Sequence, residues 1–94
     1  MMTKYKIDRS SRFKREYRLA KKRGYDIALL FEVIEILADG KPLPAKYKDH
    51  ALSGKWSGNR ECHITPDWLL IYQIKDDVLI LVLVGTGTHS DLFK

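Results

Sequence analysis

The chain has 94 residues, the size of one domain (1–94) with a limited core. It is 45% hydrophobic and 31% charged, which excludes a disordered polymer, and no apolar run nears the ~18 residues that span a bilayer. The net charge of +5 is unevenly spread: residues 1–25 hold ten Lys/Arg against Asp8 and Glu16, and the remainder is net acidic. A basic end of this kind attracts polyanions, although basic faces also occur with no role beyond solubility. The polar start has no apolar signal core, and the lone Cys62 has no internal disulfide partner, so a cytoplasmic location is expected.

Tyr5 to Arg9 alternates and predicts a short strand. Ser10 and Ser11 are good caps for a basic helix over 12–23, with Phe13, Tyr17 and Ala20 on one stripe and Gly24 as its stop. Asp26 caps a second helix, in which Ile27, Leu30, Phe31, Ile34 and Leu37 recur at helical spacing. Gly40, Pro42 and Pro44 end it. Residues 41–58 predict an irregular loop carrying Trp56 between Gly54 and Gly58. Three strands follow: Arg60–Thr65, Trp68–Ile74 and Val78–Val84, joined by turns at Pro66-Asp67 and Lys75-Asp76-Asp77. Gly85-Thr-Gly-Thr-His89 and a short tail close the chain. The fold class is therefore α+β, in the order β-α-α-β-β-β. Two helices pack on one face of an antiparallel sheet, and the other face is left concave and open.

The three histidines all fall late, at His50, His63 and His89. A histidine can give or take a proton near neutrality. If Cys62 and Ile64 face the core, strand alternation turns His63 to the open face, where Asp67 and His89 could join it. Spacing alone also allows plainer readings: a loop histidine, a solvated strand residue, a tail cap, and a turn-forming aspartate. Three histidines and a carboxylate could instead hold zinc, but their separations of 13 and 26 residues match no compact ligand motif. Gly85-Thr-Gly-Thr lacks the Gly-Lys-Ser/Thr ending of a phosphate loop.

Tyr47-Lys-Asp-His50, then Trp56, Arg60 and His63, then Pro66-Asp67-Trp68, and finally Thr86-Gly-Thr-His89 with Phe93 resemble the YafQ branch of the RelE/ParE toxin superfamily. The likeness runs from about Tyr5 to Phe93. It implies a RelE-like fold and a type II toxin that enters the A site of the 70S ribosome and cuts messenger RNA. It further implies no cofactor or metal, and neutralisation by an antitoxin of the DinJ/RelB kind. His50, His63, Asp67 and His89 match the family's functional set, and Phe93 matches an aromatic that holds RNA. On this resemblance Asp67 is the expected base and His89 the expected acid, with His50 and His63 steadying phosphate charge. Trp68 reads as core. Arg12, Lys14, Arg15, Arg18, Lys21, Lys22 and Arg23 form the expected ribosomal RNA contact.

The chain departs from the family at Gly85, where an arginine usually precedes Thr-Gly-Thr-His. Glycine supplies no charge to the phosphate. Either the toxin is weak, or another cation substitutes, or the position carries an inactivating change. Arg60 is the nearest candidate by strand position; its plainer reading is a sheet-surface arginine. The competing functions are a catalytically weak relative that mainly binds antitoxin as a co-repressor, and a metal-dependent hydrolase.

Overall fold

The computed structural model describes residues 3–93. Strand β1 (Lys6–Arg9) leads into helices α1 (Ser11–Lys22) and α2 (Ile27–Ala38). The segment after α2 holds two single 3-10 turns, Ala45–Tyr47 and Gly54–Trp56, around a short strand β2 (His50–Ala51). Strands β3 (Arg60–Thr65), β4 (Trp68–Lys75) and β5 (Ile80–Gly87) follow, and a one-turn helix α3 (His89–Leu92) closes the fold.

The predicted caps form. Ser10 Oγ accepts from the Phe13 N–H at 2.9 Å and donates to the Val84 carbonyl at 2.8 Å, so one hydroxyl starts α1 and pins it to β5. Asp26 accepts from the Ala28 N–H at the head of α2. Gly24, at φ 81°, supplies the left-handed residue that ends α1.

The sheet order is β1-β5-β4-β3-β2. The β2-β3, β3-β4 and β4-β5 pairs are antiparallel, as the hairpin turns require, whereas β1 runs parallel to β5 with Lys6 opposite Ile80. The sheet is thus mixed rather than wholly antiparallel. More than seventy residues separate the two parallel partners, so no tight turn dictates their direction. The last strand starts at Ile80, because Asp76 to Leu79 is spent on the turn, with Leu79 left-handed at φ 54°.

One face of the sheet is sealed by the helices. Phe13 and Ala20 from α1 and Leu30, Val33, Ile34 and Leu37 from α2 meet Cys62, Leu70, Tyr72, Leu81 and Leu83 from the sheet. Phe31, expected on the buried stripe of α2, is 53% exposed. The stripe centres on Leu30, Val33, Ile34 and Leu37, which leaves Phe31 on its flank beside Tyr17, with ring centroids 6.1 Å apart. Trp68 is core: its indole N–H donates to Thr86 Oγ1 at 2.9 Å.

The opposite face carries a smaller cluster of Leu69, Ile71 and Leu92, flanked by Leu52, Trp56, Val84 and Phe93. A bulge in β5 shapes this face. Ile71 pairs with Gly85 and Tyr72 pairs with Leu83, so Val84 is an extra residue on β5. The extra residue reverses the alternation. Leu83 and Thr86 face the helices, while Val84 and Gly85 both lie on the open side.

Candidate active site

The open face gathers most of the predicted residues. His63 leaves β3 on this side because its neighbours Cys62 and Ile64 are buried beneath the helices. Asp67 sits in the β3-β4 turn, and His89 is the first residue of α3. His63, Asp67 and His89 line one concavity of about 380 Å³ with Leu69, Thr88 and Ser90. The His50 ring lies 6.4 Å from the His63 ring.

The three histidines are each positioned. Nδ1 of His50 lies 2.8 Å from the Lys48 carbonyl and Nε2 lies 3.1 Å from Glu61 Oε2. Both nitrogens face acceptors. Glu61 is itself buried and pairs with His50 across the β2-β3 ladder. His63 Nδ1 lies 3.3 Å from the Pro66 carbonyl. His89 rides on α3, whose start is fixed by a capping box: Thr88 Oγ1 accepts from the Asp91 N–H and Asp91 accepts from the Thr88 N–H. Arg23 clamps Asp91 at 2.7 Å from the end of α1. That guanidinium first, then the Thr88 N–H, holds the Asp91 carboxyl well below the usual carboxylate range.

A shelf of aromatics continues from His89. Its ring is 4.8 Å from Phe93, Phe93 meets Trp56 edge-on at 5.4 Å, and the Arg12 guanidinium covers Trp56 at 5.2 Å. Arg12, Lys55, Trp56, Leu92 and Phe93 line a second, adjoining hollow of about 540 Å³. Sequence reasoning assigned no site role to Glu61 or Trp56. The alternation Glu61-Cys62-His63 carried the signal for Glu61, since residues two apart in a strand share a face. Trp56 is marked in the sequence only as an aromatic between two glycines and as one of the residues that carry the resemblance.

Arg60 does not join this group. It pairs with Tyr72 in the ladder, on the helix-covered side, where its guanidinium meets Asp49 at 3.0 Å and Tyr72 also donates to Asp49. The expectation that Arg60 stands in for the missing arginine is corrected by this placement: strand parity puts it on the wrong face. Burial pushes the Cys62 thiol up to about 12, which leaves no nucleophilic thiolate at neutral pH.

The basic helix divides. Lys14, Arg15, Arg18, Lys21 and Lys22 are exposed on α1. Arg23 is engaged by Asp91, and Arg12 turns inward to Glu16 and Trp56, so neither projects with the others. Among the described residues, no group of three or more His, Cys, Asp or Glu side chains stands close enough to hold a metal ion. No helix among them is long and apolar enough to cross a membrane.

A small α+β domain with a histidine-lined concavity on its uncovered sheet face is the pattern these observations define. Residues 5–94 match the family model described as a bacterial toxin of type II toxin-antitoxin systems, YafQ. The mRNA interferase toxin YafQ of Escherichia coli K12 is 42% identical over 88 residues, covering 93% of this chain and 94% of that protein. The crystal structure of YafQ from E. coli BL21(DE3) superposes with a TM-score of 0.90 at 40% identity, covering 96% of this chain and 99% of that one. YafQ in the E. coli DinJ-YafQ toxin-antitoxin complex superposes with a TM-score of 0.88 at 40% identity, covering 97% and 99%. The chain belongs to the YafQ family of type II toxins.

Proposed function

We propose that this toxin is an mRNA interferase that cuts messenger RNA in the ribosomal A site, in the cytoplasm, by metal-free acid-base chemistry. The observation that carries this reading is the convergence of His63, Asp67 and His89 on one concavity beside an aromatic shelf. Asp67 takes the proton of a ribose 2′-hydroxyl. The 2′-oxygen attacks the neighbouring phosphorus, the bond to the 5′-oxygen breaks, and His89 protonates that leaving oxygen. The products are a 2′,3′-cyclic phosphate and a free 5′-hydroxyl. His50 and His63 face the phosphate as charge-stabilising groups. Phe93 and Trp56 offer faces on which bases stack, and the outward cations of α1 hold ribosomal RNA phosphates.

The neutralising partner is an antitoxin like the DinJ of the related complex. We assign to it the groove between α1, α2 and β1, about 720 Å³, lined by Ile7, Phe13, Tyr17, Phe31 and Ile34 and edged by Arg9, Lys14 and Arg18. Apolar floor and basic rim match an amphipathic acidic segment. Such a segment would also cover part of the ribosome-binding face.

Purified protein should cleave messenger RNA on programmed ribosomes, and His89→Ala should slow cleavage about 10²- to 10⁴-fold, the usual contribution of a general acid. Wild-type protein that cuts nothing on ribosomes, or His89→Ala at wild-type speed, would overturn the proposal. The weak-relative reading draws on Gly85 alone, and its outcome in the same assay is an intact messenger.

A further inference from the structure

Arg12 is the only residue of the basic helix whose guanidinium lies over the aromatic shelf. It is held there from three sides: Nε to Glu16 Oε2 at 3.1 Å, Nη2 to the Leu92 carbonyl at 3.3 Å, and the guanidinium over Trp56 at 5.2 Å. It still shows 36% of its side chain to solvent. Beneath it lies Gly85, buried and with no left-handed backbone to demand glycine. A Cβ at Gly85 would stand 2.7 Å from Glu16 Oε1, 3.4 Å from Leu92 and 3.5 Å from Arg12 Nε. Glu16 Oε1 is further tied down by the Thr86 N–H at 3.1 Å. Gly85 is therefore glycine for space: the Glu16–Arg12 pair occupies the volume that a side chain on β5 would fill.

The concavity of His63, Asp67 and His89 has no lysine or arginine in its lining, although cleavage builds negative charge on a phosphate there. The two cations of the adjoining hollow are Arg12 and Lys55. Arg12 reaches it along the aromatic shelf, in steps of 5.2 Å from the guanidinium to Trp56, 5.4 Å from Trp56 to Phe93 and 4.8 Å from Phe93 to His89. An RNA strand laid along these rings meets both Arg12 and His89.

We propose that Arg12 is the phosphate-binding arginine of this toxin, delivered from α1 across Gly85 to the RNA phosphate that His89 and Asp67 act on, instead of from β5. A planar fork already held by Glu16 and Trp56 loses little freedom on gripping a phosphate. The assignment rests on the nuclease reading. It separates Arg12 from the exposed residues of α1, which bind ribosome without touching the scissile group.

Single-turnover cleavage on programmed ribosomes, followed against toxin concentration, tests it. Arg12→Gln should lower the saturated rate on the order of 10²-fold, as for one lost charge-stabilising donor, and leave the half-saturating concentration unchanged. Lys14→Gln and Arg18→Gln should do the reverse. Gly85→Arg alone, forced onto Glu16, should slow cleavage, but in the Arg12→Gln background it should raise the rate again. An Arg12→Gln rate equal to wild type, or a loss carried wholly by the half-saturating concentration, overturns the proposal and returns Arg12 to the ribosome-binding face. Should Arg12→Gln fail to fold by thermal melting, Arg12→Lys decides. It keeps the ion pair and loses the fork, so an undiminished saturated rate overturns the proposal. Wild-type protein that cuts nothing strikes the nuclease reading and this inference together, whereas active wild type with equally active Arg12→Gln strikes this inference alone.

Discussion

The two faces of the sheet are made from the same five strands and differ in what covers them. The helix side is closed by α1 and α2 over a continuous apolar cluster, with Leu30, Val33, Leu70, Tyr72 and Leu81 fully buried. Among the described residues, the buried apolar side chains of the open side are Leu69, Ile71 and Leu92, and its rim is His50, His63, His89, Trp56 and Phe93. Stability therefore resides on one face, and the proposed chemistry belongs to the other. The polar site residues are supported from the edges, by Glu61, Lys48 and the α3 cap, and not by burial.

That division can be broken most severely from the helix side. Leu30→Ala removes a fully buried side chain at the centre of the larger cluster and should cost about 2–5 kcal/mol in urea unfolding, a large share of a small domain's stability. His63→Ala, on the open face, should leave the unfolding free energy within about 0.5 kcal/mol while slowing cleavage. If the two variants lose comparable stability, the separation of roles is wrong.

The open face can be probed next at its own small core. Gly85→Ala places a methyl 2.7 Å from Glu16 Oε1, and a clash of this kind should cost about 1–3 kcal/mol by denaturant titration. Trp56→Ala should weaken the hold on messenger RNA by about 1–3 kcal/mol, the worth of one stacked base, seen as a higher half-saturating concentration on ribosomes. The smallest effect is expected at the clamp on α3. Asp91 is depressed by Arg23 and by the Thr88 N–H, so its contribution to stability is complete above the ordinary carboxylate pKa and fades as pH falls through its lowered folded value. Thermal melts of wild type should therefore drop below about pH 4, and Asp91→Asn should flatten that acid limb by its own share. An unchanged acid limb in Asp91→Asn would show that the clamp carries no measurable linkage.

Much of this architecture is legible from periodicity. The caps at Ser10 and Asp26, both long helices, the three-strand meander and the orientation of His63 all follow from local residue pattern. What escaped was set by long-range geometry. The parallel seat of β1 depends on a strand more than seventy residues away. The bulge at Val84 reverses parity in β5, and nothing local marks a residue as extra, so the facing of Gly85 could not be read. Arg60, by contrast, was within reach of the parity rule, which the expectation left unapplied: two residues before Cys62, it shares the helix-covered side of Tyr72 and Asp49. Arg12 looked like one more cation on a basic helix. Its partners Glu16, Trp56 and Leu92 come from three parts of the chain, and only the first is within helical reach.

The place of β5 inside the sheet bears on how the toxin comes into being during translation. Lys6–Arg9 is made more than seventy residues before Ile80–Leu83, its sheet neighbour among the described residues. His89 and Phe93 come later still. A nascent chain halted before Ile80 has neither an anchored first strand nor the proposed proton donor, so the sheet and the candidate site are completed together rather than in stages.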